Sequence, residues 1–393
     1  MENTLRLYDT LVQVLSQHQN WLDIRHLKTL AWMMVGLIQS QAISLTEWVP
    51  YVHGRAQYAQ STVRRFRRWL DNERIKVHKL YGPLIQQAVA EWGEQRLYLA
   101  LDTSMLWGQY CIIRISIVYR GRAVPLVWKV LKHASSAVAF DAYKDLLNRA
   151  AQLLLPFQCQ VVFLADRGFA DTDLMAHLTK LGWQWRIRLK GNFLIHRPGR
   201  RRCKAKRITP AVGHAILWQN VHITAQQYGP VHVAIARHPG SKEFWIVVSS
   251  EPTSITTFEE YGLRFDIEEN FLDDKSNGFQ LEASVIRDAQ ALERLCFVLA
   301  ITTLFLVSQG TVVVEQGKRR WVDPHWFRGS SYLKIGWRWV KHALSKGWAL
   351  ITRLYLPGTP DPEPAKASRK QLSRKAMPDF CFVVADFASI ICL

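Results

Sequence analysis

Cysteine is scarce in this sequence, and its six occurrences form no pattern. They are spaced singly along 393 residues, and no Cys-x-x-Cys pair is present. Zinc sites and disulfide frameworks need cysteines at short, regular spacings, so the sequence favours neither. This usage fits a reducing compartment, and we expect a cytoplasmic protein.

A secretion signal and a long apolar run are also lacking. Residues 1–13 contain early acids and no extended apolar core, which argues against a signal peptide. The longest apolar run, residues 295–307, is too short to cross a bilayer and predicts a buried helix instead. We therefore expect no membrane partner.

Acidic residues are too few to balance the basic ones. Lys and Arg number 51 against 32 for Asp and Glu, which gives a formal net charge of +19. Such an excess indicates a polyanionic partner, with nucleic acid ahead of an anionic membrane surface. A glycosidase with paired carboxylates would not need this charge.

Hydrophobic patterning divides the chain into five segments. Residues 94–190 alternate buried strands with amphipathic helices in the order βββαβαβ. A hairpin beside parallel strands makes a mixed sheet flanked by helices, and this succession is that of ribonuclease-H-like folds. We predict an α/β protein with a ribonuclease-H-like domain over 94–190 and 256–310, an N-terminal helical DNA-binding domain at 1–93, a β-rich insertion at 191–255, a C-terminal helical region at 311–356 and a tail at 357–393.

The last two segments have a basic, aromatic composition. In residues 331–356 cations alternate with Trp, and three roles are open: covering the sheet, contacting DNA in trans, or pairing subunits. Residues 357–376 are rich in Pro and then in cations, so we expect them to be disordered.

A basic helix is predicted at residues 61–73. Val63, Phe66 and Leu70 share the spacing of a core-facing stripe. The remaining faces then carry a cluster of cations: Arg64, Arg65, Arg67 and Arg68. A helix-turn-helix motif that binds duplex DNA consists of a helix, a turn and a second helix, here the basic one. The alternative interpretation is a basic helix that only faces solvent.

Two of the buried strands are each predicted to end in an aspartate. Asp102 follows the apolar run 96–101, and Asp166 follows the run 160–165. Since the carboxyl ends of parallel strands meet at one crevice, these side chains should converge. Each Asp taken alone could equally serve a turn or a structural ion pair.

A third carboxylate comes from a predicted helix between residues 254 and 278, which contain no Pro. Tyr261, Arg264, Glu268 and Lys275 fall within an arc of roughly 60° on that helix. Glu268 is thereby framed by two cations, while Asp266, Glu269, Asp273 and Asp274 point elsewhere. A surface helix is the alternative interpretation.

The pattern Tyr-x2-Arg-x3-Glu-x6-Lys formed by these four residues resembles the signature of DDE transposases of the insertion-sequence-four group of bacterial mobile elements. The segments LDTS around Asp102 and ADRGF around Asp166 resemble the first and second acidic motifs of that family. The resemblance covers about residues 60–340.

The resemblance implies roles for individual residues. Asp102, Asp166 and Glu268 would hold two Mg²⁺ or Mn²⁺ ions. Arg264, Lys275, Arg167 and Tyr261 would contact a DNA strand. The resemblance implies two partners. One is double-stranded DNA, at the element ends and at the target, and the other is a second copy of the chain in a synaptic homodimer. It also implies a bacterial protein associated with the nucleoid. Relatives stack an aromatic of the insertion on a flipped base; for Trp218 and Trp245 we expect core packing.

The function expected from the resemblance is cleavage at terminal inverted repeats followed by joining of the 3′ ends to target DNA. Two alternatives remain open. One is a catalytically inactive, transposase-derived DNA-binding repressor, and the other is a ribonuclease-H-like nuclease without strand transfer.

Overall fold

Four helices occupy the N-terminal region of the computed structural model, which describes residues 2–18, 21–54, 56–237, 244–366 and 383–384. Asp23 caps the second helix, because its side chain accepts a hydrogen bond from the Arg25 amide at 2.8 Å. The helices are α1 (Glu2–Ser16), α2 (Ile24–Ser40), α3 (Ala59–Leu70) and α4 (Val77–Ala88).

The predicted mixed sheet is confirmed. Strand β1 (Arg96–Leu106) pairs with β2 (Tyr110–Tyr119) in antiparallel fashion and with β4 (Gln160–Ala165) in parallel fashion. Strand β4 pairs with β5 (Gln184–Arg188) in parallel fashion. Arg120 and Gly121 take positive φ angles at the turn that joins β2 to β3. The elements are β1 (Arg96–Leu106), β2 (Tyr110–Tyr119), β3 (Arg122–Lys132), α5 (Lys144–Leu154), β4 (Gln160–Ala165), α6 (Thr172–Lys180) and β5 (Gln184–Arg188).

Strands of the segment predicted as an insertion continue this sheet. Strand β10 (Phe244–Ser249) pairs with β5 in antiparallel fashion, with Val248 opposite Ile187. The strand order is therefore β3-β2-β1-β4-β5-β10-β9-β8-β6-β7, and the sheet is mainly antiparallel. The added strands are β6 (Leu194–His196), β7 (Cys203–Lys204), β8 (His214–Ile223), β9 (Tyr228–Arg237) and β10 (Phe244–Ser249), and a short β11 (Val383–Val384) lies parallel to β8.

The single helix predicted between residues 254 and 278 is wrong. The structure has α7 (Thr256–Gly262), α8 (Phe265–Leu272) and a π-helical turn (Asp273–Asn277). Around Arg264 the backbone tightens to bonds three residues apart, with the Arg264 amide 3.1 Å from the Tyr261 carbonyl. At the π turn, Asp273 pairs with Arg122 and Asp274 pairs with Arg114, and both arginines belong to the sheet. In a regular α-helix these two consecutive acids would point about 100° apart.

Helix α9 (Ala289–Glu315) is the core helix of the fold. It has 27 residues, and it is the one helix in the described part of the chain that is long and apolar enough to cross a membrane. The predicted buried helix is confirmed, and it extends beyond the apolar run 295–307 at both ends. In the structure 94% of its most apolar window is buried inside the protein, where α2, α3, α4, β3 and α10 (Tyr332–Ser345) contact it.

Two glycines allow α9 and α10 to touch backbone to backbone. A Cβ on Gly336 would overlap the carbonyl oxygen of Leu306, and a Cβ on Gly310 would overlap that of Tyr332. Because backbone cannot move aside as a flexible side chain can, the two helices would have to separate.

We expect Gly336→Ala to lower the free energy of unfolding by about 1–3 kcal/mol or more, the usual cost of overpacking a core. Gly54→Ala is the control, since its new methyl would meet only the end of Arg65 at 3.6 Å. Thermal unfolding followed by circular dichroism measures both. Equal melting temperatures for the two variants would mean that α9 and α10 do not approach this closely.

The start of the tail is anchored, so the expectation of disorder is wrong for residues 357–366. Asp361 accepts hydrogen bonds from Arg328 and from the Tyr332 hydroxyl, each at 2.6 Å. Glu363 pairs with Arg319 at 2.5 Å. Buried arginines need carboxylate partners, and this segment supplies them. The rest of the predicted disordered stretch lies outside the described residues.

Candidate active site

The two aspartates predicted to converge lie on adjacent strands. The parallel ladder between β1 and β4 runs from Arg96 opposite Gln160 to Leu101 opposite Ala165. Asp102 and Asp166 are the next residues along the chain, and the second of them directly follows the end of β4, so the two backbones are roughly 5 Å apart there. Strand β1 does not end at Asp102 as predicted. It continues to Leu106, because β2 still pairs with it, placing Arg114 opposite Asp102.

Arg264 connects two of the three predicted acids. Its guanidinium is 3.3 Å from Asp102 Oδ2 and 2.5 Å from Glu268 Oε1. The side chain is 5% exposed and lies over the ring of Phe265 at 4.7 Å. Asp102 and Glu268 are therefore both within reach of one buried cation, although 166 residues separate them in the sequence.

Burial raises the pKa of Asp102 to about 6. Arg264 and the Thr103 amide act in the opposite direction, while the negative charges of Glu268 and Asp166 raise this pKa further. For Arg264, burial works against the charged form, but Tyr261 and the three carboxylates raise its pKa on balance. The three acids thus share one electrostatic environment with Arg264 at its centre.

The donor chemistry of this site fits a hard divalent cation. Asp102, Asp166 and Glu268 offer only carboxylate oxygens, which suit Mg²⁺ or Mn²⁺ better than zinc. In the described part of the chain, no group of three or more His, Cys, Asp or Glu side chains is arranged to hold a metal. Arg264 supplies the compensating positive charge in this arrangement.

The other predicted DNA contacts occupy different positions. Tyr261 is fully buried, with its ring 5.4 Å from that of Trp245, so its observed role is packing and its DNA contact stays a prediction. Lys275 donates to the Met105 carbonyl at 2.6 Å, which places its ammonium group beside the end of β1. Arg167 is exposed directly after Asp166.

A basic cleft of about 410 Å³ has Arg167, the residue after Asp166, in its lining. Arg167, Arg188, Lys190 and Lys206 contribute its cations, and Gly191 and Phe244 are also in its lining. Of these four cations, only Arg167 was predicted to contact DNA, while Lys206 lies in the run HRPGRRRCKAKR (196–207), predicted to form a basic lip on the insertion. The alternation of cations in QWRIRLK, residues 184–190, could have indicated Arg188 and Lys190, because alternate residues of a strand share one face.

A buried polar cluster behind Asp102 was missed from the sequence. Arg114 is 1% exposed, pairs with Asp274 at 2.6 Å, and donates to Asn270 Oδ1 at 2.8 Å. Its guanidinium also lies 4.6 Å from the ring of Phe271. An arginine within the apolar run CIIRISIVY was the signal, since a charge buried in a strand needs a partner.

The expectation of core packing for Trp218 and Trp245 is confirmed. Trp218 is 2% exposed and has the Arg197 guanidinium 4.1 Å from its ring, while Trp245 is 6% exposed.

Helix α3 presents most of its predicted cations to solvent. Phe66 and Leu70 are fully buried, whereas Arg64, Arg67 and Arg68 are exposed. Arg65 is an exception to the prediction, because it is half-buried with its guanidinium 5.4 Å from the Phe66 ring. Burial lowers its pKa, and Tyr8 partly offsets this effect.

Comparison with known proteins gives one family. A model of the transposase DDE domain matches residues 108–305, about half of the chain. The match includes Asp166 and Glu268 and begins six residues after Asp102. No curated protein matches the chain. Because the match covers half of the chain, it shows that this protein belongs to the DDE transposase family.

Proposed function

We propose that this protein is a DNA transposase that cuts at the terminal inverted repeats of its element and joins the freed 3′ ends to target DNA. The observation that carries this proposal is the meeting of Asp102 and Glu268 on one buried arginine, with Asp166 on the neighbouring strand. Such a constellation is typical of a site that handles phosphodiesters with acids and cations together.

The proposal assigns Asp102, Asp166 and Glu268 as ligands of two Mg²⁺ or Mn²⁺ ions. When bound, ions of this kind activate an attacking oxygen and stabilise the leaving one in a phosphodiester displacement. Arg264 holds two of the ligands at fixed positions. The cleft that starts at Arg167 supplies positive charge where the phosphates of the strand would lie.

Three finer assignments belong to the same proposal. The order β3-β2-β1-β4-β5 supports a ribonuclease-H-like core, and Tyr261, Arg264, Glu268 and Lys275 support membership of the insertion-sequence-four group. A synaptic homodimer would hold both element ends.

A strand-transfer assay tests the function. Genomic DNA flanking the reading frame supplies the candidate inverted repeat, which is incubated with the protein, Mg²⁺ and a supercoiled target plasmid. We expect cleavage at the repeat and a joined product, and loss of both when the metal is chelated. Cleavage without joining would identify a nuclease, and retention of DNA on a gel without either reaction would identify a repressor.

We expect α3 to carry much of the duplex binding. Replacing Arg67 and Arg68 by Gln should weaken binding to the repeat and reduce the slope of log K against log[salt] by about 0.9 for each phosphate that is no longer neutralised. Fluorescence anisotropy over a salt series measures the slope. Replacing Lys144 and Lys180, exposed cations of α5 and α6, by Gln removes the same charge elsewhere. Equal reductions in the two double variants would argue against a specific role for α3.

A further inference from the structure

The loop between α9 and α10 exposes aromatic side chains that proteins usually bury. Residues 318–327 form this aromatic loop, in which Trp326 is 79% exposed, Phe327 61% and Trp321 55%. Apolar residues exposed singly are common on protein surfaces, but several large rings exposed within ten residues favour an interaction surface.

Cations accompany each of these rings. The Arg320 guanidinium lies 4.5 Å from the centre of the Trp326 ring, and Lys366 Nζ lies 4.0 Å from that of Phe327. Lys318 Nζ is 5.9 Å from the centre of Trp321. The surface is therefore aromatic and positively charged at once, which suits a ligand with flat rings and negative charge.

The aromatic loop is held rigidly from beneath. Asp323, which is fully buried, accepts from Arg319 at 3.2 Å and from the Gly329 amide at 3.3 Å. Arg319 in turn donates to the carbonyls of His325 at 2.9 Å and Trp326 at 3.1 Å. Because the backbone is fixed by buried charges, the outward display of the rings is built into the fold.

We propose that the aromatic loop binds unpaired bases of a DNA strand. Bases would stack on Trp326 and Phe327, and Arg320, Lys318 and Lys366 would neutralise the adjoining phosphates. This inference rests on the proposed function in one respect, namely that the polyanion is DNA. A second copy of the chain fits less well, since two such cationic surfaces would repel each other.

The test is fluorescence anisotropy with a short labelled single strand and with a duplex of the same length. Trp326→Ala should weaken single-strand binding by at least about fivefold, the lower end of the effect of removing one stacking platform. Trp326→Phe keeps an aromatic face and should remain near wild type. Trp326→Leu keeps an apolar side chain without the face and should behave like Ala. Duplex binding should be nearly unchanged.

Leu155→Ala is the matched control, because Leu155 is 77% exposed and lies outside the aromatic loop, directly after α5, so its truncation should change nothing. Unchanged single-strand affinity in Trp326→Ala would overturn the proposal. The same variant is also tested for binding to phosphatidylglycerol vesicles and for its oligomeric mass. If Trp326→Ala weakens only vesicle binding, the surface contacts lipid, and if it changes only the mass, the surface contacts a second copy; either result would overturn the proposal.

Strand cleavage and joining by the same preparations separate the two proposals. If the wild type cleaves and joins DNA but Trp326→Ala binds single strands normally, the inference alone fails. If single-strand binding depends on Trp326 but no preparation cleaves DNA, the proposed function fails and the base-binding surface stands.

Discussion

Replacing Glu268 by Gln should lower the rate of strand cleavage at the element end by at least about a hundredfold, because a lost metal ligand removes several kcal/mol of transition-state stabilisation. Gln keeps the shape of the side chain but loses the charge that faces Arg264 at 2.5 Å. The measurement is the single-turnover rate of cleavage of a labelled repeat in Mg²⁺. Binding of the repeat should persist, since the substitution removes a negative charge.

Glu269→Gln is the matched control for this experiment. Glu269 is the next residue of α8, and it pairs with Arg122 at 3.2 Å instead of joining the site. We expect this variant to cleave DNA at close to the wild-type rate. If the two glutamine variants have equal rates, Glu268 takes no part in the reaction.

Replacing Arg114 by Ala should lower the free energy of unfolding by about 3–5 kcal/mol. The carboxylate of Asp274 is 2% exposed and would lose its 2.6 Å ion pair, leaving a buried charge without compensation. Burial already raises the pKa of Asp274 even with Arg114 present, although Arg114 opposes the rise. Urea unfolding followed by far-ultraviolet circular dichroism measures the destabilisation.

Two further variants test whether the destabilisation comes from the buried charge of Asp274. Arg25→Ala breaks a 2.7 Å ion pair with Asp23, but Arg25 is 86% exposed, so we expect a much smaller loss of stability than for Arg114→Ala. Arg114→Met combined with Asp274→Leu removes both buried charges and should recover most of the stability lost by Arg114→Ala. A cost for Arg114→Ala no larger than that of Arg25→Ala would show that the pair is not buried.

The elements around the site were predictable because their signals are local. The apolar runs before Asp102 and Asp166 mark strands buried on both faces, and the turn at Gly121 marks the hairpin. A helix around Glu268 was predicted, but its division into α7, α8 and a π-helical turn was not. Its periodicity could not show that Arg264 reaches Asp102, because the two residues lie 162 positions apart in the sequence.

The sequence by itself therefore determined the mixed sheet, the three acids and the excess of positive charge, since periodicity and composition directly record which residues are buried and which meet a polyanion. Only the tertiary structure decided that Arg264 lies between Asp102 and Glu268, that Arg114 pairs with Asp274, and that β10 continues the sheet from β5. These are pairings between residues remote in sequence, and they exist only once the strands and helices have become neighbours. The aromatic loop includes one pairing of the same kind, because Arg319 beneath its rings pairs with Glu363, which lies 44 residues further along the chain.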